Sequence, residues 1–90
     1  MKVRVQFTAQ LRTALGKAAE EVELPEGSSV AELLRQLVNR FDGAAPHLLK
    51  PTGEPQSSLL IVINEAVATT QSVHLRAGDV VTLLPPIAGG

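Results

Sequence analysis

A chain of 90 residues with a formal charge of −1, and with Phe7 and Phe41 as its only aromatics, lacks the basic runs and stacking groups of a nucleic-acid binder. With no cysteine there is no disulfide, thiolate metal site or cysteine nucleophile, and no apolar run approaches the roughly 20 residues of a membrane span. Folding at this length buries roughly 60% of the unfolded surface, enough for one core but not for a deep substrate pocket as well.

Along the chain, Val3, Val5 and Phe7 alternate with Lys2, Arg4, Gln6 and Thr8, which predicts a strand with one apolar face. The same opening has no continuous apolar segment of the signal-peptide kind, so the expected setting is soluble and cytoplasmic. Leu11 to Leu15 followed by Gly16 predicts a short helical turn stopped by glycine. Glu20 to Leu24 predicts a second strand, with Val22 and Leu24 on one face and Pro25-Glu26-Gly27 ending it. Val30, Leu33, Leu34, Leu37, Val38 and Phe41 then form a stripe at helical spacing. Ser29 and Glu32 stand at capping-box spacing before it, and Gly43 is expected to end the helix. His47 to Ser58 reads as a loop punctuated by Pro51, Gly53 and Pro55, with room for a short helix over Ala44 to Leu49. The unbroken run Leu59 to Ile63 predicts a strand buried on both faces. Asn64-Glu65 predicts a turn with a short return strand over Ala66 to Ala68. Ala77-Gly78-Asp79 predicts another turn, leading into a last strand, Val80 to Leu84. Pro85-Pro86 cannot extend a sheet, since neither residue has an N–H to donate.

One helix cannot cover its own stripe, so the sheet must curl around it. Strands first and last, both apolar, suit the centre of that sheet. The order predicts an α+β chain of β-grasp, ubiquitin-like type: a mixed sheet wrapped on one main helix. Residues 1–86 are expected to form the domain, and 87–90 a flexible Gly-Gly tail. Val3, Val5, Phe7, Leu33, Leu37, Val62 and Leu83 are expected in the core.

The ending Pro85-Pro86-Ile87-Ala88-Gly89-Gly90 carries the functional signal. Two glycines at a chain end arise by chance in roughly one chain in 200, so the pair alone says little. Here it follows a stiff proline pair and a core strand directly, with no polar linker. A carboxylate that must reach the α-phosphate of ATP inside a partner has to thread a narrow channel. Glycine, lacking Cβ, passes where other residues clash.

The segment Gly78-Asp79-Val80-Val81-Thr82-Leu83-Leu84-Pro85-Pro86-Ile87-Ala88-Gly89-Gly90 resembles the C-terminal signature of the MoaD/ThiS sulfur-carrier family. Lys2 to Thr8, Ala9-Gln10-Leu11-Arg12 and Ser29-Val30-Ala31-Glu32-Leu33-Leu34 match as well, so the likeness spans essentially the whole chain. Within the family the ending most resembles that of molybdopterin synthase small subunits. The resemblance implies a non-catalytic carrier that binds no cofactor of its own. A ubiquitin-activating-type enzyme would adenylate Gly90 with ATP, and a persulfide donor would convert it to a thiocarboxylate. Pro86, Ile87, Ala88 and Gly89 would thread the partner site. In the molybdopterin pathway the tail would enter the large synthase subunit and give up its sulfur for molybdenum-cofactor biosynthesis. The long His47 to Ser58 loop also resembles carriers for cysteine biosynthesis and archaeal carriers that double as modifiers. The alternatives are therefore a carrier for thiamine or cysteine biosynthesis, or a ubiquitin-like modifier forming isopeptide bonds through Gly90. A purely noncovalent β-grasp module is a third class, and it predicts that Gly89 and Gly90 are dispensable.

Pleat alternation points Arg4, Thr8 and Leu84 away from the core, and with Val67 they make a candidate partner surface; by resemblance, Arg12 pairs with an acidic residue of that partner. His47 and His74 lack companions at ligand spacing, so no metal site is expected. Glu20, Glu21, Glu23 and Glu26 read as a solvated strand face, and Ser28 and Ser29 as cap residues.

Overall fold

The computed structural model describes residues 1–41, 43, 45–54, 56, 59–68 and 73–84. β1 (Lys2–Phe7) buries Val3, Val5 and Phe7 and exposes Lys2, Arg4 and Gln6, as its alternation dictates. In α1 (Ala9–Leu15), Leu11 is buried. Gly16 closes that helix at φ 74°, its amide donating to Arg12 O at 2.9 Å, a left-handed cap that suits glycine. β2 (Ala19–Glu23) runs antiparallel to β1, with Val22 opposite Val3. It ends one residue before the expected Leu24. Leu24 is nevertheless buried, its amide donating to Met1 O at 2.8 Å before Pro25 turns the chain away.

α2 (Val30–Arg40) starts where the cap pattern puts it: Ser29 Oγ accepts the Glu32 amide at 3.3 Å. Val30, Leu33, Leu34 and Leu37 are fully buried, while Val38 and Phe41 pack at the core's margin. Gly43 does not end this helix. Phe41 already leaves helical geometry, at φ −124° and ψ 114°, and its ring meets Phe7 edge-on at 6.1 Å. Within the stretch expected as mostly loop, α3 (Ala45–Leu48) buries Leu48.

β3 (Leu60–Ile63) and β4 (Ala66–Val67) form a hairpin, and β5 (Val80–Leu84) ends the described chain. The sheet order is β2-β1-β5-β3-β4. β1 and β5 are parallel neighbours, Val5 opposite Val81 and Phe7 opposite Leu83. A parallel pair needs a long crossover, and the crossover here contains α2. The inward side chains of β1, β5 and β3 join the α2 stripe in one core. This is the mixed, five-stranded β-grasp sheet on a main helix.

Two expectations fail on β3. The strand is buried on one face only: Ile61 is buried, whereas Leu60 remains 44% exposed. Val62 is outside the core, because its register partner is the outward Thr82, while Ile61 and Ile63 stand opposite the buried Leu83 and Val81. The helix covers one side of the sheet, and no described element covers the other. Pro85 to Gly90, including the 87–90 tail, lie outside the described residues, as does Ala44 at the expected start of the short helix.

Candidate functional site: the outer sheet face

Outward positions fall into rows set by the strand register. One row runs Gln6, Thr82, Val62, Val67 across β1, β5, β3 and β4. The next, toward the end of β5, pairs Leu84 with Leu60. Leu60 and Val67 are the exposed large hydrophobics among the described residues, at 44% and 57%. Val62 and Leu84 are half-buried between them. Leu84, Leu60, Val62 and Val67 thus form one aliphatic strip leading to the end of β5.

Of the residues expected here, Leu84 and Val67 flank the strip but do not touch in register, since β3 separates them. Arg4 is exposed one row beyond Gln6, opposite Val80. Thr8 is half-buried and spends its hydroxyl internally, donating to Leu83 O at 2.9 Å. Arg12 is exposed on α1, which begins at the edge where β5 ends. Sequence reasoning missed Leu60 and Val62. A run of aliphatics hides which of its members face out; only pairing with β5 assigns them. Gly90 and the threading residues Pro86, Ile87, Ala88 and Gly89 are outside the described residues.

At the other end of the face the β3–β4 turn is pinned to the start of β5. Asn64 donates from Nδ2 to Asp79 Oδ1 at 2.8 Å and accepts the Val80 amide on Oδ1 at 2.8 Å. Its own amide donates to Val80 O at 2.9 Å. Asp79 Oδ2 takes the Arg76 amide at 2.8 Å. Asn64 and Glu65 have φ of 50° and 80°, the signs of a type I′ turn, which favours Asn-Gly. Glutamate in glycine's place holds a conformation that costs an L-residue about 1–2 kcal/mol. Beside this turn lies a depression of about 530 Å³ lined by Gln6, Val62, Asn64, Glu65, Val80 and Thr82.

Residues 5–90 match the model of the ThiS family. The chain belongs to the ThiS family of ubiquitin-like sulfur carriers. It is 29% identical to small archaeal modifier protein 3 of Haloferax volcanii, with all of both chains covered. It is also 29% identical to a molybdopterin synthase sulfur carrier subunit of Drosophila ananassae, covering all of this chain and 92% of that one. The fold superposes on SAMP1 from Haloferax volcanii with a TM-score of 0.91, at 22% identity and complete coverage of both chains.

Several other polar groups of this ThiS-family chain serve the fold. His74 is exposed, its Nδ1 2.7 Å from Gly27 O, an acceptor, so that nitrogen carries the proton. The Ser29–His74 bridge ties the start of α2 to the segment before β5: Val30 N donates to Val73 O at 3.0 Å and Leu75 N to Ser28 O at 2.8 Å. Buried Ser28 donates to Pro25 O at 2.7 Å rather than capping α2. Glu20 pairs with Lys17 at 3.2 Å and Arg40 at 3.9 Å. Glu23 sits 2.9 Å from the Met1 amino group, whose hydrogen bond and charge hold its carboxyl below the usual range. Among the described residues no cluster of His, Asp or Glu is arranged to hold a metal. No described helix is long and apolar enough to cross a membrane.

Proposed function

We propose that this chain is a non-catalytic, cytoplasmic sulfur carrier, serving as the small subunit of molybdopterin synthase. The Gly90 carboxylate attacks the α-phosphate of ATP in a ubiquitin-activating-type enzyme, releasing pyrophosphate and leaving an acyl-adenylate. A persulfide attacks that carbonyl and AMP departs. A second thiol then reduces the acyl disulfide to the thiocarboxylate, becoming the disulfide partner of the donor. The carrier next docks on the large synthase subunit, which takes the sulfur for the pterin dithiolene. ATP and catalysis belong to the partners.

The observation that supports this reading best is the aliphatic strip Leu84–Leu60–Val62–Val67, which leads to the end of β5, the strand that precedes Pro85 to Gly90. Exposed aliphatic surface of this kind marks protein interfaces. Arg4, Thr8 and Arg12 flank it on the side of β1 and α1. Seating an extended Pro86 to Gly90 costs about 1–2 kcal/mol of backbone entropy per residue, so a docking face on the folded part must offset it.

A second reading follows from the full-length likeness to an archaeal modifier protein: Gly90 forms an isopeptide bond with a target lysine after the same adenylation. One experiment separates the two. The purified chain is incubated with its own genome's activating enzyme, ATP and a persulfide donor, and its intact mass is recorded. Exchange of one oxygen for sulfur supports the carrier, a lysine-linked adduct supports the modifier, and an unchanged mass with no adenylate rejects both.

A further inference from the structure

We propose that the Glu65 carboxylate receives a cationic side chain of the adenylating partner and fixes the rotational register in which that partner grips the outer sheet face; this rests on the carrier reading above.

The first observation is conformational. Glu65 occupies the position of a two-residue turn where glycine is at ease, at φ 80°. Strain of this kind persists only where the surrounding structure holds it in place, as the Asn64 hydrogen bonds do here, and it clusters at functional sites. The fold makes no use of this side chain: among the described residues the Glu65 carboxylate has neither a hydrogen bond nor an ion pair. Its neighbour Asn64 does the structural work of the turn, with both side-chain atoms committed to Asp79 and Val80.

The second is the chemistry of the adjoining depression. Val62 and Val80 give it an apolar floor. Thr82 Oγ1 donates to Gln6 Oε1 at 3.0 Å, so those groups already serve each other. Both Asp79 oxygens are occupied, by Asn64 Nδ2 and the Arg76 amide. Among the described residues, the uncommitted charge at the rim is therefore Glu65. An apolar floor ending at a carboxylate without a described partner suits a long methylene stem with a cationic head, as in arginine or lysine.

The third is position. Glu65 lies at the Val80 end of the face and the aliphatic strip runs to the Leu84 end. Four residues of strand separate Val80 from Leu84, about 13 Å at 3.3 Å per residue. A smooth aliphatic strip tolerates rotation of whatever sits on it. A charge contact at the Val62 end of the strip, about 13 Å along the strand from its Leu84 end, removes that freedom and sets the register of docking. For a carrier, register decides whether Gly90 enters the channel or misses it.

The test titrates the full chain and its Glu65→Gln, Glu65→Lys and Glu65→Gly variants against the adenylating enzyme with ATP, at about 50 mM and about 500 mM salt, with thermal melts in parallel. Glu65→Gln and Glu65→Gly should bind about 5- to 10-fold more weakly at low salt, and Glu65→Lys more weakly still, with the gaps narrowing at high salt. Glu65→Gly should also melt higher than wild type, which separates lost contact from lost fold. Variants that all bind as wild type overturn the contact and leave the carrier reading standing. Wild type that itself neither binds nor is adenylated overturns the carrier reading, and the contact with it.

Discussion

On β3 and β5 the inner and outer faces of the sheet are built largely from aliphatic side chains, yet one face is sealed and the other half open. In β3, Ile61 is 5% exposed while its neighbour Leu60 is 44% exposed. In β5, Val81 and Leu83 are fully buried while Val80 and Leu84 are half-buried. Hydrophobicity does not separate these positions; α2 does, by lying on one side. The inner aliphatics stabilise the fold. The outer ones stay partly wet among the described residues, which suits a surface whose partner is another protein.

The largest effects should come from breaking the inner face. Leu37→Ala should cost about 2–5 kcal/mol of unfolding free energy in a denaturant titration, as should Ile61→Ala within the same range. A loss under about 0.5 kcal/mol at Leu37, the level of an ordinary surface substitution, would mean that the stripe does not pack as described.

A smaller loss is expected where the faces meet the turn. Asn64→Ala deletes the acceptor for the Val80 amide and the donor to Asp79. It should cost about 1–3 kcal/mol, because polar groups of β5 and its turn lose their partner. Amide exchange at Val80 should accelerate alongside the loss. An unchanged exchange rate there would show that water replaces the clamp without penalty.

The smallest stability effect should accompany a large functional one. Leu60→Ala, next in sequence to Ile61, should cost under about 1 kcal/mol. Leu84→Glu should likewise leave the fold intact, yet it should abolish binding to the activating enzyme. Unchanged affinity for both variants in a titration would show that the aliphatic strip is not a docking surface.

How much of this was legible in the residues differs between the two faces as well. Period-two alternation in Val3-Val5-Phe7 and helical spacing from Val30 to Leu37 carried the inner face directly, because each buried set is flanked by polar residues. The Ser29–Glu32 cap and the Gly16 stop were legible because each is a local backbone requirement. The central placement of β1 and β5 was legible from two apolar strands at opposite ends of the chain; their parallel direction comes from the structure. The outer strip was only half legible. Alternation assigns Leu84 outward, and Val67 is only grouped beside it, while Leu60 and Val62 are hidden in an aliphatic run whose faces are fixed by pairing with a strand some 20 residues away. Val62 was placed in the core for that reason. The Asn64–Asp79 clamp joins two turns that each look self-sufficient, and the strain at Glu65 is a dihedral angle, which composition does not encode. The end of α2 was misassigned to Gly43 because glycine is the usual local stop, whereas a tertiary contact between Phe41 and Phe7 marks it.

On the proposed function, the folded faces exist to present a C-terminal carboxylate that a partner activates. ATP–pyrophosphate exchange by the activating enzyme measures that step directly. It should be run with wild type, with a chain lacking Gly89 and Gly90, and with Gly90→Val. Exchange is expected with wild type alone, with all three chains melting at nearly the same temperature. Exchange at the wild-type rate by the shortened chain would contradict it.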